Sequence, residues 1–206
     1  MMSSVEVRKL DIEDAVEFSV PVYRDSRGLF TSPFQIDAFD AALGHGLFPV
    51  RDISHNVSAR GVLRGIHYTT TPPGRSKYVY VPHGRVTDYL VDLRVGSPTF
   101  GRWDQTELGG DGATAKALFI PMGVGHAFLS QQDDSIVVYV MSEGYEAANE
   151  LAISPLDPEI GLPIPRIPRP EQSERDRAAL TLAEAGDRGL LPDYATCLEL
   201  EAKLWH

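Results

Sequence analysis

Within one short stretch, Gly61-Val62-Leu63-Arg64-Gly65-Ile66-His67-Tyr68, the chain carries a candidate base, a cation and the apolar residues of a strand. An imidazole titrates near neutral pH, so His67 can accept a proton from a reacting atom, or it can be a packed residue at a strand rim; these residues alone leave both readings open. Beyond the turn Pro72-Pro73-Gly74, Lys77 opens a second apolar run, Lys77-Tyr78-Val79-Tyr80-Val81. The two runs read as a hairpin that would bring imidazole and ammonium together.

Of the six histidines, His67 and His126 have the most informative neighbours. His45 and His206 fall in a loop and at the terminus and read as inert, and His83 precedes the turn residue Gly84 and reads as a rim residue. His55, between Ser54 and Asn56, can face a pocket or solvent. His126 follows the tight loop Pro121-Met122-Gly123-Val124-Gly125 at the start of a strand, so His67 and His126 have the look of two barrel-lining imidazoles. That pairing raises the question of a metal. The metal-dependent cupins carry His-x-His and a glutamate in one motif and Pro-x-Gly-x-x-His in another. Here the second is present as Pro121 to His126, whereas the first reads His67-Tyr68-Thr69 and the glutamate position holds residues such as Gly74 and Arg75. Two ligands are too few for a stable transition-metal site and Lys77 would repel a cation, so no metal is expected.

These groups need a scaffold, and the spacing of the rest predicts a β one. Val16 to Tyr23 alternates in part, with Val16, Phe18, Val20 and Val22 on one face and Pro21 favouring an edge. Gln35 to Leu43 has helical spacing ended by Gly44. From Arg51 to Ser142 short strands alternate with turn signals and no long helix intervenes, which predicts a mainly β fold, an antiparallel barrel or jelly roll. Pro158, Pro163, Pro165, Pro168 and Pro170 predict an extended connector. Ser173 then caps an alanine-rich helix ending near Gly186, and Pro192 starts a last helix through Trp205. These short helices, over about 157–206, are expected to pack on the barrel, so that 1–206 is one domain.

The chain has 206 residues, 43% of them hydrophobic, enough to bury a sizeable core. A net charge of −10 without any Lys/Arg cluster argues against nucleic acid or an anionic membrane as partner. There is no long apolar run, and Met1-Met2-Ser3-Ser4-Val5-Glu6 lacks the features of a leader, so no membrane span is expected and the cytoplasm is the expected address. The single Cys197 cannot form an intrachain disulfide and reads as a packed thiol.

Four segments carry a resemblance: Asp25-Ser26-Arg27-Gly28-Leu29-Phe30, Gly61 to Tyr68, Val91-Asp92-Leu93-Arg94-Val95-Gly96-Ser97-Pro98-Thr99-Phe100-Gly101, and Asp157-Pro158-Glu159-Ile160-Gly161. In order and separation they resemble the dTDP-4-dehydrorhamnose 3,5-epimerase family, epimerases of nucleoside-diphosphate 4-keto-6-deoxysugars. The resemblance implies a cupin-type jelly roll without metal or cofactor, a homodimer that exchanges N-terminal strands, and a dTDP-linked 4-ketosugar as substrate. A ketone at C4 acidifies C3 and C5, so the reaction needs a base, an acid on the opposite face and a cation for the enolate oxygen.

By motif position His67 matches the base, Asp176 its carboxylate partner, Tyr139 the acid and Lys77 the enolate-stabilising cation; read without the resemblance, Tyr139 would be a core tyrosine. Arg27, Arg64, His126, Glu150 and Arg175 match positions that contact diphosphate, sugar or nucleotide. Phe30 matches an aromatic packing on the base from the partner subunit. A regular pleat would put Arg64 and His67 on opposite faces, so a bulge at Gly65 is required if both line the site. The chain departs from the family at Ser32, at Asp52 and Ser54 in place of a Gln-x-Asn pair, and at Ser154 and Ile164. These changes point to a member tailored to a modified deoxysugar, with one or both centres inverted. Two other readings are a 3,4-ketoisomerase and a cupin that binds a nucleotide sugar without catalysis.

Overall fold

The computed structural model of the chain describes residues 5–110, 112, 114–165 and 168–205; His206 and the N-terminal Met1 to Ser4 discussed above lie outside the described residues. Two antiparallel sheets face each other. The first runs in the order β1 (Glu6–Lys9), β2 (Val16–Asp25), β9 (Thr114–Ile120), β6 (Lys77–His83), β11 (Ser135–Met141), β4 (Asp52–Ser58), with β3 (Gly28–Thr31) pairing with the far end of β2. The second runs β12 (Glu150–Ala152), β5 (Leu63–Thr69), β10 (Val124–Ser130), β7 (Arg85–Asp92), β8 (Trp103–Gly109). This is the expected mainly β jelly roll.

Strand alternation sorts the apolar residues into three layers. Val79, Val81, Leu118, Ile120 and Val137 of the first sheet meet Val86, Leu90, Leu108, Val124 and Phe128 of the second in the space between them. The outer face of the second sheet, with Leu63, Ile66, Tyr89 and Val91, is covered by Ile153, Ile160, Ile164, Leu182 and Ala185 from the C-terminal region. The outer face of the first sheet packs Phe18, Tyr78 and Phe119 against Phe39 of helix α1 (Ile36–Leu43). Each layer removes apolar surface from water, at roughly 25 cal/mol per Å² buried.

Three local expectations are corrected. The strands of His67 and Lys77 do not form a hairpin: β5 lies between β12 and β10, and β6 between β9 and β11, so the two occupy opposite sheets. Residues 70–76 carry the chain across, and the hydrogen-bonding edges of both strands are taken by partners remote in sequence, which local turn signals do not encode. Pro21 does not mark an edge strand. It sits where β2 stops pairing with β9, opposite Thr114, and starts pairing with β3 at Val22, a junction that needs no donor from it. The alanine-rich run after Ser173 is two helices, α2 (Glu174–Arg177) and α3 (Leu182–Asp187), because Thr181 and Glu184 form a capping box that starts the second. The last helix, α4 (Tyr194–Ala202), begins after Pro192 as expected and is capped by Asp193.

Candidate active site

The bulge required at Gly65 is present. His126 of β10 pairs with His67 of β5, but Phe128 pairs with Arg64, so Gly65 and Ile66 together stand opposite the single residue Ala127. Gly65 has φ +110°, and a Cβ there would lie 2.4 Å from the His126 carbonyl oxygen and 2.6 Å from Ala127 Cα. Only glycine permits that conformation and that approach. The bulge resets the alternation: Leu63 and Ile66 both enter the outer core, while Arg64 and His67 both line the space between the sheets.

That space contains a cavity of about 250 Å³. Its walls are the inward residues of five strands, Ser54 and Asn56 on β4, Arg64 and His67 on β5, Lys77 on β6, His126 and Phe128 on β10, Tyr139 and Met141 on β11, completed by Arg75, Tyr145 and Glu150 at the start of β12. His67 and Lys77 meet here because their sheets face each other. Tyr139 stands on the sheet opposite His67.

His67 Nε2 lies 2.7 Å from Asp176 Oδ1. The chain delivers Asp176 to this place by running Glu171 beside β5, where the Leu63 amide donates to the Glu171 carbonyl at 2.8 Å, and then turning into α2 under its Ser173 cap. Burial pushes the Asp176 carboxyl up, but hydrogen bonding and charge from His67, with bonds from Ser173 and the Gly65 backbone, outweigh it and hold the group below its ordinary value. The side chain of Asp176 is 4% exposed and that of His67 34%, so the carboxylate backs an imidazole whose other edge is open.

On the facing wall the Tyr139 oxygen accepts a hydrogen bond from Asn56 Nδ2 at 2.9 Å. Burial pushes its phenol well above the ordinary value while the Asn56 bond pulls it down, so the hydroxyl stays protonated and can donate. Burial lowers Lys77 to about 8, with Glu150 and Asp88 holding it up and Arg75 pressing it down. The ammonium is therefore charged at neutral pH and desolvated, which strengthens its attraction for a developing oxyanion. His126 is 4% exposed on its side chain and its Nε2 lies 2.7 Å from Asp88 Oδ2. Burial raises the Asp88 carboxyl against the opposing pull of His126 and Lys77, and Asp88 Oδ1 has no hydrogen-bond partner.

The matched binding residues are spread more unevenly. Arg64, Ser54, His126 and Glu150 line the cavity; Glu150 Oε1 is 2.8 Å from Arg75 Nη2 and accepts from Thr69 Oγ1 at 3.2 Å. Arg175 is exposed in an adjoining hollow of about 390 Å³ that shares Arg64 and His67 with the cavity and continues past Gln172, Ser173 and Asp176. Asp52 does not reach the cavity lining; it accepts from Ser54 Oγ at 3.4 Å. Arg27 and Phe30 are not brought to the cavity within the chain. They belong to the β2–β3 hairpin, where Arg27 is paired with Asp25 and Phe30 is 67% exposed. Among the described residues no group of three or more His, Cys, Asp or Glu side chains is assembled to hold a metal ion. His55 and His83 are exposed, and Cys197 is buried.

Sequence reasoning passed over Asn56, Asp88 and Arg75 as site residues. Asp88 had a signal, a carboxylate between Val86 and Leu90 on the inner row of an apolar strand, where an unpaired charge would be costly. Asn56 and Arg75 had none, since polar residues in a largely polar strand or in a connecting loop are ordinarily solvated.

A family model described as dTDP-4-dehydrorhamnose 3,5-epimerase matches residues 9–184. The chain is 42% identical over 193 residues to a dTDP-4-dehydrorhamnose 3-epimerase of Streptomyces niveus, covering 94% of this chain and 91% of the relative. It is 43% identical over 190 residues to a dTDP-4-dehydrorhamnose 3,5-epimerase of Mycolicibacterium smegmatis, with 92% of each covered. Among solved structures it is similar to NovW, a 4-keto-6-deoxy sugar epimerase from the novobiocin biosynthetic gene cluster of Streptomyces spheroides, with a TM-score of 0.88, 42% identity, and 96% of this chain and 97% of that one covered.

Proposed function

The chain belongs to the dTDP-4-dehydrorhamnose 3,5-epimerase family and is an isomerase, an epimerase of dTDP-linked 4-keto-6-deoxysugars, and we propose that His67, Asp176, Lys77 and Tyr139 are its proton-transfer set. His67 removes the proton at C3, C5 or both. Asp176 stabilises the imidazolium that forms, as a buried carboxylate does behind other catalytic histidines. Electrons move onto the C4 oxygen, where the Lys77 ammonium balances the enolate. Tyr139 then returns a proton from the opposite face, the electrons go back to the carbonyl, and the carbon is inverted. The observation that carries this reading is that His67 and Tyr139 line one cavity from opposite sheets, with Lys77 in the same lining on the strand beside that of Tyr139.

Arg64 and Arg175 line connected hollows in a protein of net charge −10, and a diphosphate fits such a local positive strip. His126, Glu150 and Ser54, which line the cavity, are assigned to sugar and nucleotide recognition, and Asp52 bears on it only through its contact with Ser54. Arg27 and Phe30 act from the second subunit of a homodimer: the exposed Tyr23, Leu29 and Phe30, adjacent on the β2–β3 hairpin, support that reading, because neighbouring apolar side chains of that size favour burial against another copy. No described helix is long and apolar enough to cross a membrane. We assign the protein to the cytoplasm, with neither nucleic acid nor membrane as partner, and assign the reaction no metal or cofactor.

Incubation with dTDP-4-keto-6-deoxyglucose in deuterated water tests the assignment. The wild-type protein is expected to introduce deuterium at C3, C5 or both with inversion, and His67→Ala to stop the exchange. A product whose carbonyl has moved to C3 would favour a ketoisomerase, and binding without exchange at either carbon would overturn catalysis.

A further inference from the structure

We propose that Asn56 is a positioning residue for the acid: together with Ser58 and Arg64 it forms a one-directional chain of hydrogen bonds that leaves the Tyr139 hydroxyl proton free to point at the sugar. The proposal rests on the reading of Tyr139 as the acid. Arg64 Nε lies 3.1 Å from Ser58 Oγ, and a guanidinium only donates, so Ser58 accepts there. The serine's own hydrogen is then available to Asn56 Oδ1 at 3.3 Å. That contact selects the orientation of the amide. Its nitrogen faces Tyr139, 2.9 Å from the phenol oxygen, and because an amide nitrogen only donates, the phenol oxygen must accept. The opposite orientation would surround Ser58 with donors and draw the phenol hydrogen onto Asn56, away from the cavity.

The strand supplies this arrangement by simple alternation. Asn56 and Ser58 are successive inward residues of β4, the strand paired to Tyr139's own through Asn56↔Val137 and Ser54↔Tyr139. Arg64 reaches Ser58 because the Gly65 bulge keeps it on the cavity side. During turnover the Tyr139 O–H bond breaks as the C–H bond forms, and the enolate electrons return to the carbonyl. The phenolate left behind keeps the Asn56 N–H, a bond that strengthens as charge develops and so favours the transition state over the ground state.

The test compares wild type, Tyr139→Phe, Asn56→Leu and Ser58→Ala on dTDP-4-keto-6-deoxyglucose in deuterated water, reading deuterium incorporation and configuration at the same carbon. His67 can return a deuteron to the face it took the proton from, so a crippled acid leaves exchange with retention while inversion is lost. Asn56→Leu is expected to reduce inversion about 10- to 100-fold relative to exchange, the range of one charge-assisted hydrogen bond, with Ser58→Ala a smaller loss in the same direction. Exchange and inversion falling in equal proportion, or inversion unchanged, would overturn the proposal. If Asn56→Leu does not fold, the Ser58→Ala ratio decides alone, a raised exchange-to-inversion ratio supporting and a wild-type ratio refuting. Should Tyr139→Phe exchange without inverting while Asn56→Leu and Ser58→Ala match wild type, the acid assignment stands and this inference falls. If Tyr139→Phe inverts normally, both fall.

Discussion

Replacing Gly65 by alanine probes the geometry that turns Arg64 and the proposed base His67 into the cavity. The added Cβ would start 2.4 Å from the His126 carbonyl oxygen and 2.6 Å from Ala127 Cα, both backbone atoms, so β5 and β10 would have to part by roughly 1 Å to recover ordinary contact. A φ of +110° is also foreign to an L side chain. The conformational penalty is about 1–3 kcal/mol and overpacking adds about 1–3 kcal/mol, so Gly65→Ala should destabilise by roughly 2–6 kcal/mol, a large part of a typical domain's stability. Gly61→Ala is the matched control. Gly61 also has positive φ, +84°, but nothing lies within 4 Å of its would-be Cβ, so it should cost only about 1 kcal/mol. Urea denaturation of both variants, with equal m-values checked, isolates the contact penalty. Where Gly65→Ala remains folded, a displacement of about 1 Å between His67 and the ring should lower inversion by about 100-fold. If Gly65→Ala and Gly61→Ala prove equally stable and equally active, the locked bulge is not what aims Arg64 and His67 into the cavity.

Asp176→Asn removes the carboxylate 2.7 Å from His67 and should lower turnover about 10- to 100-fold with little change in KM, because the imidazolium it stabilises forms only after proton abstraction. A parallel loss of substrate affinity of the same size would count against that role. With its folded pKa below the unfolded value, Asp176 contributes stability above the ordinary carboxylate range that is lost as pH falls through the folded value; acid unfolding followed by circular dichroism should be shallower in the asparagine variant. Lys77, lowered to about 8 chiefly by burial, is charged below that pH and neutral above it, so kcat/KM should decline as pH rises through about 8. Lys77→Met should cost about 100- to 1000-fold and lose that alkaline decline; a pH profile with the decline intact would remove Lys77 from the mechanism. Glu201 of α4 is buried, accepts from Ser76 Oγ and from the Met122 amide, and is raised to about 7 chiefly by burial. A raised folded pKa contributes stability that is fully present below the unfolded value near 4.5 and is lost as pH rises towards 7. Glu201→Gln should therefore flatten the fall in melting temperature between pH 5 and 8, and an unchanged slope would refute it.

The amino-acid order alone determined the β character of the chain, its turns, the helix ending at Gly44 and the Ser173 cap, since each follows from residue preferences acting over a few positions, while the irregularity at Gly65 was required only on the condition that Arg64 and His67 share one site. Local pattern singled out His67 and Lys77, whereas Tyr139 and Asp176 were named only by the family resemblance. Tertiary structure decided how those residues meet. Lys77 shares a cavity with His67 across two facing sheets instead of along a hairpin, and Asp176 comes from a connector that returns beside β5. Arg75 and Asn56 became legible only once the strands were paired, because a polar residue gains meaning from what stands opposite it, and Arg27 and Phe30 lie outside the cavity lining of their own chain. Local preferences act through the covalent neighbours that the sequence displays, whereas pairing between distant strands is set by the burial of whole faces, which belongs to the folded chain.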